Sequence, residues 1–387
     1  MKSRRCFRSV VSFGAAMVMI ALTAGVVSSQ ESSQTTTTRA AMRGLFVVLS
    51  NVYIYSLDAD AFADPKNHQE IQSMLDALAQ NTDQLEAHGG GLDPSFDFMR
   101  RSLARDAHDA KESFKSANYV GSRFVLGEIT ENCVTCHTKL PAGKPFEAGQ
   151  EFLDAVDAKE LPPAPRAKLQ VASRQFSEAM KTYEAILRTP GVSAEDLAMF
   201  NVFENYFRVS IGALNDTKRP VPPLQEFARR ADMPEATRAN ARAWIGSLET
   251  LNLGVATGDE LAAARRMVAG AREKTTSRSD PSRMVDFIGA ITLVHRYLRT
   301  GPKEDVSVAE AYYLLGVAES YVSHSFWISE TDYLLEKSIR QAPKSEVAKE
   351  ALAFLDAFRR SAYDVTPARA VPQGQTSIED LRKLTEQ

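Results

Sequence analysis

Three side chains in one stretch of this sequence have the types and spacing for chemistry: Cys133-Val134-Thr135-Cys136-His137. Two thiols stand three positions apart, and an imidazole follows the second one directly. A thiolate is a nucleophile and a soft metal ligand, and a neutral imidazole nitrogen is the commonest protein ligand for iron and zinc. This spacing lets two sulfurs add to two vinyl groups of a planar macrocycle while the histidine reaches its central iron. Cys-x-x-Cys-His is the attachment signature of c-type haem. The prediction is one covalently bound haem c, with Cys133 and Cys136 as the attachment sites and His137 as the proximal iron ligand.

Three other chemistries fit the motif less well. A thioredoxin-like dithiol belongs in a βαβ setting, and no strand pattern is found; Val47-Val48 and Val26-Val27 fall inside helical or apolar segments. A zinc site needs further strong ligands at ligand spacing, whereas His68, His88, His108, His295 and His324 are scattered. A disulfide across two intervening residues closes a very small loop and stabilises little.

The elements that must position this motif are helical. The chain has 387 residues, enough for a large core and two domains. Residues 39–57 place Met42, Leu45, Phe46, Leu49, Val52 and Tyr53 on one helical face. Asp64-Pro65 opens a second segment with Ile71, Met74, Leu75, Leu78 and Leu85, closed by Gly89-Gly90-Gly91. Asp93-Pro94-Ser95 starts a third, with Phe96, Met99, Leu103, Ala107, Ala110 and Phe114. A fourth runs from Ser116 to about Leu140 and carries the motif near its end. The expectation is an all-α chain whose residues 38–141 form an antiparallel four-helix haem-binding bundle.

Residues 142–166, with Pro145, Pro162, Pro163 and Pro165, read as a Pro-rich linker holding at most one short helix at 146–158. A second helical region spans 167–363. Phe176 to Leu187 closing at Pro190, and Tyr312 to Ile339 closing at Pro343, are similar to the tetratricopeptide pattern, with its Leu-Gly pair at Leu315-Gly316. This region is expected to be a tetratricopeptide-like α-solenoid. A polar tail, 364–387, has room for a helix at Ile378–Lys383.

Composition narrows the function. The formal net charge is −3, and removing Lys2, Arg4, Arg5 and Arg8 of residues 1–29 takes it to −7. An acidic chain has no basic excess for nucleic acid. Those basic residues precede an apolar run, Val10 to Val27, and then small residues, the layout of a signal peptide at 1–29 cleaved after Ser29. The alternative is an uncleaved anchor. Cys6 leaves with the signal. The mature chain is expected outside the cytoplasm, in the periplasm or an equivalent space, where haem is attached to c-type cytochromes. No carboxylate dyad, phosphate loop or nucleophile elbow points to an enzyme.

A four-helix bundle with Cys-x-x-Cys-His near its end resembles the cytochrome c′ and cytochrome c-556 class, over about residues 38–141. The resemblance implies a bundle cytochrome whose distal residue, a Met or a non-ligating apolar side chain, stands on the first helix. Helix ends at the level of His137 carry Met42, His88 and Met99, whereas Met74 and His108 lie roughly 20 Å away along the axis at 1.5 Å per residue. Met42 is the candidate distal ligand, with plain core packing as its alternative; Met99 and His88 rank below it. Arg100, Arg101 and Arg105 are candidate partners for the haem propionates, with a solvated face as the plainer reading; Arg123, Lys139 and Lys144 are further candidate propionate partners. The expected function is one-electron transfer by a monohaem cytochrome whose helical repeats dock redox partner proteins. The alternatives are an open-site haem protein that binds small gases and a haem-stabilised interaction scaffold.

Overall fold

The computed structural model describes residues 40–88, 94–143, 147–254, 258–300, 303–322, 330–363 and 376–386. The predicted signal segment 1–29, Arg39, the triple glycine, Lys144, His324 and the stretch 364–375 lie outside them. The described residues are all-helical, with no strand among them.

The four expected N-terminal helices are present as α1 (Ala40–Leu57), α2 (His68–His88), α3 (Pro94–Lys115) and α4 (Tyr119–Thr138). Their apolar stripes meet in one cluster. Leu45, Leu49 and Val52 of α1 pack with Ile71, Leu75 and Leu78 of α2, Leu103, Ala107 and Phe114 of α3, and Leu126 and Ile129 of α4. Among the described residues α1 alone is long and apolar enough to cross a membrane by length and composition, with a mean hydropathy of 1.3. Its inner stripe is buried in this cluster. Asn118 caps α4, its side chain accepting from the Gly121 N–H.

Residues 142–166, read above as a linker, do more than connect. They carry α5 (Glu147–Ala155), and Phe152, Leu153, Val156 and Ala158 are buried in the first cluster. The prolines sit at a helix start: Pro162 caps α6 (Pro163–Ala172) and Pro163 opens it, where the missing N–H costs nothing.

The second cluster begins on α4 itself. Cys133 and Val134 pack with Ala167 and Val171 of α6, and with Phe176, Ala179 and Tyr183 of α7 (Phe176–Arg188). It continues through α8 (Glu235–Thr250), α9 (Glu260–Lys274), α10 (Met284–Leu298), α11 (Asp305–Val322) and α12 (Glu330–Gln341). From α9 to α12 each helix packs on the next in sequence. At the α11–α12 crossing a Cβ on Gly316 would come within 2.8 Å of Leu335 Cγ, so only glycine allows that approach. α13 (Glu346–Tyr363) and α14 (Ile378–Glu386) close the chain; α14, longer than expected, buries Leu381 against Leu335 and Leu355. Helix α4 therefore changes core along its length. Its first half packs into the first cluster and its last two turns into the second.

Candidate cofactor site

The motif lies where α4 passes between the two clusters. On an α-helix, positions 133, 136 and 137 fall within about 100° of arc, so both sulfurs and the imidazole share one face. Cys133 is 7% exposed, and burial, aided by the neighbouring Cys136, pushes its thiol pKa up to about 12. That is opposite to a redox-reactive cysteine, whose thiolate is stabilised. Cys136 is half-buried.

His137 is 6% exposed. Burial and the positive charge of Arg174 pull its pKa down to about 4, against a backbone hydrogen bond to Ala172 that favours the protonated form. The imidazole is thus neutral, the form that binds a metal. Its Nδ1 is buried without a hydrogen-bond partner. An orphaned buried nitrogen on a neutral ring is costly unless something ligates it. The Phe46 ring of α1 faces this imidazole, nearly parallel at 12°, with centroids 6.5 Å apart. Phe46 in turn meets Phe152 of α5 edge-on at 5.4 Å.

The chain after His137 is gripped by residues that come later in the sequence. Arg174 donates to the Pro141 carbonyl at 2.9 Å, Arg299 donates to the Lys139 carbonyl at 3.1 Å, and the Ala142 N–H donates to Ala213 at 2.7 Å. Lys139 is 1% exposed in its side chain and pairs with Glu330 and, at 3.7 Å, with Glu319. Arg208 pairs with Glu319 at 2.7 Å and with Glu204 at 2.9 Å. These charges hold Glu319 down to about 2 despite burial, whereas burial leaves Glu330 raised. Arg208 opens a π-helical turn, Arg208–Ala213, in which Gly212 lies against the Thr138 carbonyl. A cavity of about 20 Å³, the size of one water, is lined by Thr138, Lys139, Arg208, Thr292 and His295.

No family model, curated protein or solved structure matches the chain. Among the described residues, no group of three or more His, Cys, Asp or Glu is placed to hold a metal ion.

The other candidates fall as follows. Met42 is half-buried on α1, packed against the first cluster one helical turn before Phe46. Met99 is buried on α3. His88 ends α2, and its side chain lies outside the described residues. Of the cations, Arg101 is exposed, Arg100 pairs with Asp97, Arg105 pairs with Asp106 at 2.9 Å, and Arg123 donates to the Ser56 carbonyl at 2.8 Å. Lys139, a candidate propionate partner, is instead a buried member of the Glu319–Glu330 network. Two residues beside the motif were not singled out from the sequence, Phe46 and Arg174. Phe46 was legible only as part of the Met42 stripe. Arg174 is distant in sequence and carried no signal.

The donor set fits a covalently held haem. Two thiols and a neutral imidazole share one helical face, and the imidazole keeps a buried nitrogen without a partner.

Proposed function

We propose that the chain is an exported monohaem c-type cytochrome. In this reading α1 to α4 form the four-helix bundle, Cys133 and Cys136 hold the haem through thioether bonds, and His137 is the proximal ligand. Bound haem supplies one iron centre that stores and passes a single electron. The observation that carries the reading is the Cys133-Val134-Thr135-Cys136-His137 motif, with both sulfurs and a buried, neutral imidazole on one face of α4.

The chain's residues then have distinct tasks. Burial of Cys133 shields one attachment bond from solvent. Ala172 orients the imidazole through its backbone hydrogen bond, the kind of support that fixes a ligating histidine. Phe46 covers the ring from α1. Met42 is the proposed distal ligand. Residues 167–363 form the proposed tetratricopeptide-like α-solenoid that docks a redox partner, supported by the close α11–α12 crossing at Gly316. Residues 1–29 direct export, so the protein works in the periplasm or an equivalent compartment. No residue is assigned a catalytic role.

The test is denaturing extraction of protein matured in a host that attaches haem. Haem that stays with the wild-type polypeptide and is lost from a Cys133→Ala, Cys136→Ala variant supports the reading. Haem that washes out of the wild type overturns it. The native spectrum then separates six-coordinate iron, expected for an electron carrier, from the five-coordinate iron of a gas-binding protein.

A further inference from the structure

A bound haem brings two carboxylates as well as an iron, and a half-buried carboxylate needs a cation. The cations near the motif are not equally available. Arg100 and Arg105 are engaged by Asp97 and Asp106, and Lys139 and Arg208 by Glu330, Glu319 and Glu204. Arg174 differs. Among the described residues no carboxylate pairs with it, although it is half-buried.

Its position is fixed by local structure. α6 ends in a Schellman turn: the Arg174 N–H donates to Val171 at 2.9 Å and the Gln175 N–H donates to Gln170 at 2.7 Å. Arg174 occupies the left-handed position of that turn, with φ at 60°, where glycine is the usual residue. The guanidinium is then seated by two contacts. One is the hydrogen bond to the Pro141 carbonyl, four residues beyond His137, and the other is the Phe176 ring at 5.2 Å. Its charge acts on His137, and it is coupled electrostatically to Cys136, so the guanidinium lies beside the motif. A partly desolvated cation lacking a counter-charge is unfavourable, and a guanidinium fork matches a carboxylate in two parallel hydrogen bonds.

We propose that Arg174 is the anchor for a haem propionate, an assignment that rests on the haem reading above. Removing it leaves a propionate charge uncompensated close to the iron, which favours the oxidised form.

The test uses the holoprotein and two variants, Arg174→Gln and Arg174→Lys. Two quantities are read: the propionate bending band in the resonance Raman spectrum and the midpoint potential. Covalent haem is expected in both variants. In Arg174→Gln the band shifts and the oxidised form gains about tenfold, a fall of about 59 mV for one electron. In Arg174→Lys the potential recovers while the band stays shifted, because an ammonium has no fork. Attached haem with an unchanged band and potential in Arg174→Gln overturns the anchor and leaves the haem reading standing. If the Gln variant does not accumulate, Arg174→Lys decides, and a wild-type band in it overturns the anchor. A wild type without covalent haem overturns both.

Discussion

The Nζ of Lys139 lies 3.7 Å from a carboxylate oxygen of Glu319, and both side chains are 1% exposed. One belongs to the turn that ends the motif helix, the other to α11. The pair therefore ties the chain beside His137 to the C-terminal helices through charge that water does not screen. Truncating one member of a buried pair strands the others, at a cost of about 3–5 kcal/mol. Lys139→Met is expected to lower the urea midpoint accordingly. Adding Glu330→Gln to Lys139→Met should recover part of the loss. A single variant costing under about 1 kcal/mol would remove the pair from any account of stability.

A backbone contact lies one residue before Lys139. A Cβ on Gly212 would sit 2.6 Å from the Thr138 backbone oxygen, which a side-chain rotation cannot relieve. Gly212→Ala should push the π-helical turn away from α4 and cost about 1–3 kcal/mol, the range for overpacking. Thermal melting checks this. A melting point equal to wild type means that the two backbones separate freely.

His137 predicts a pH dependence for the haem-free chain. Its pKa is about 4 when folded, against an ordinary value of 6.5 that the unfolded chain retains. Between these values the unfolded state binds the extra proton, so stability rises with pH. The contribution is fully present above pH 6.5 and is lost as pH falls toward 4, by about 3 kcal/mol in all. Unfolding curves across this window should be steeper in pH for the wild type than for His137→Gln. Equal slopes would mean that the ring is not buried neutral.

Met42 is tested by spectroscopy of the holoprotein. Leucine nearly matches methionine in volume and has no sulfur, so Met42→Leu should leave the fold intact at a cost under about 1.5 kcal/mol. If Met42 ligates the iron, the low-spin spectrum disappears in the variant. An unchanged low-spin spectrum returns Met42 to core packing.

The N-terminal helices were legible because their apolar residues recur with helical period and because Asp64-Pro65 and Asp93-Pro94 punctuate them. The motif was legible for a different reason: its chemistry is entirely local. Long-range features were not. Residues 142–166 looked like a linker because prolines dominate them, yet Phe152 and Leu153 are buried. Lys139 was a candidate propionate partner because its actual partners, Glu319 and Glu330, are on helices distant in sequence. Arg174 was invisible for the same reason. A cation's partner, or its lack of one, is a property of the folded chain.

Cys133 lies in a core completed by residues as late as Leu334. Any reagent that modifies its sulfur has to arrive before that core closes, or wait until it opens. The fold thus imposes an order on maturation. Chemistry at the first cysteine belongs to the emerging or loosened chain, and closure of the C-terminal helices afterwards locks in whatever has been attached.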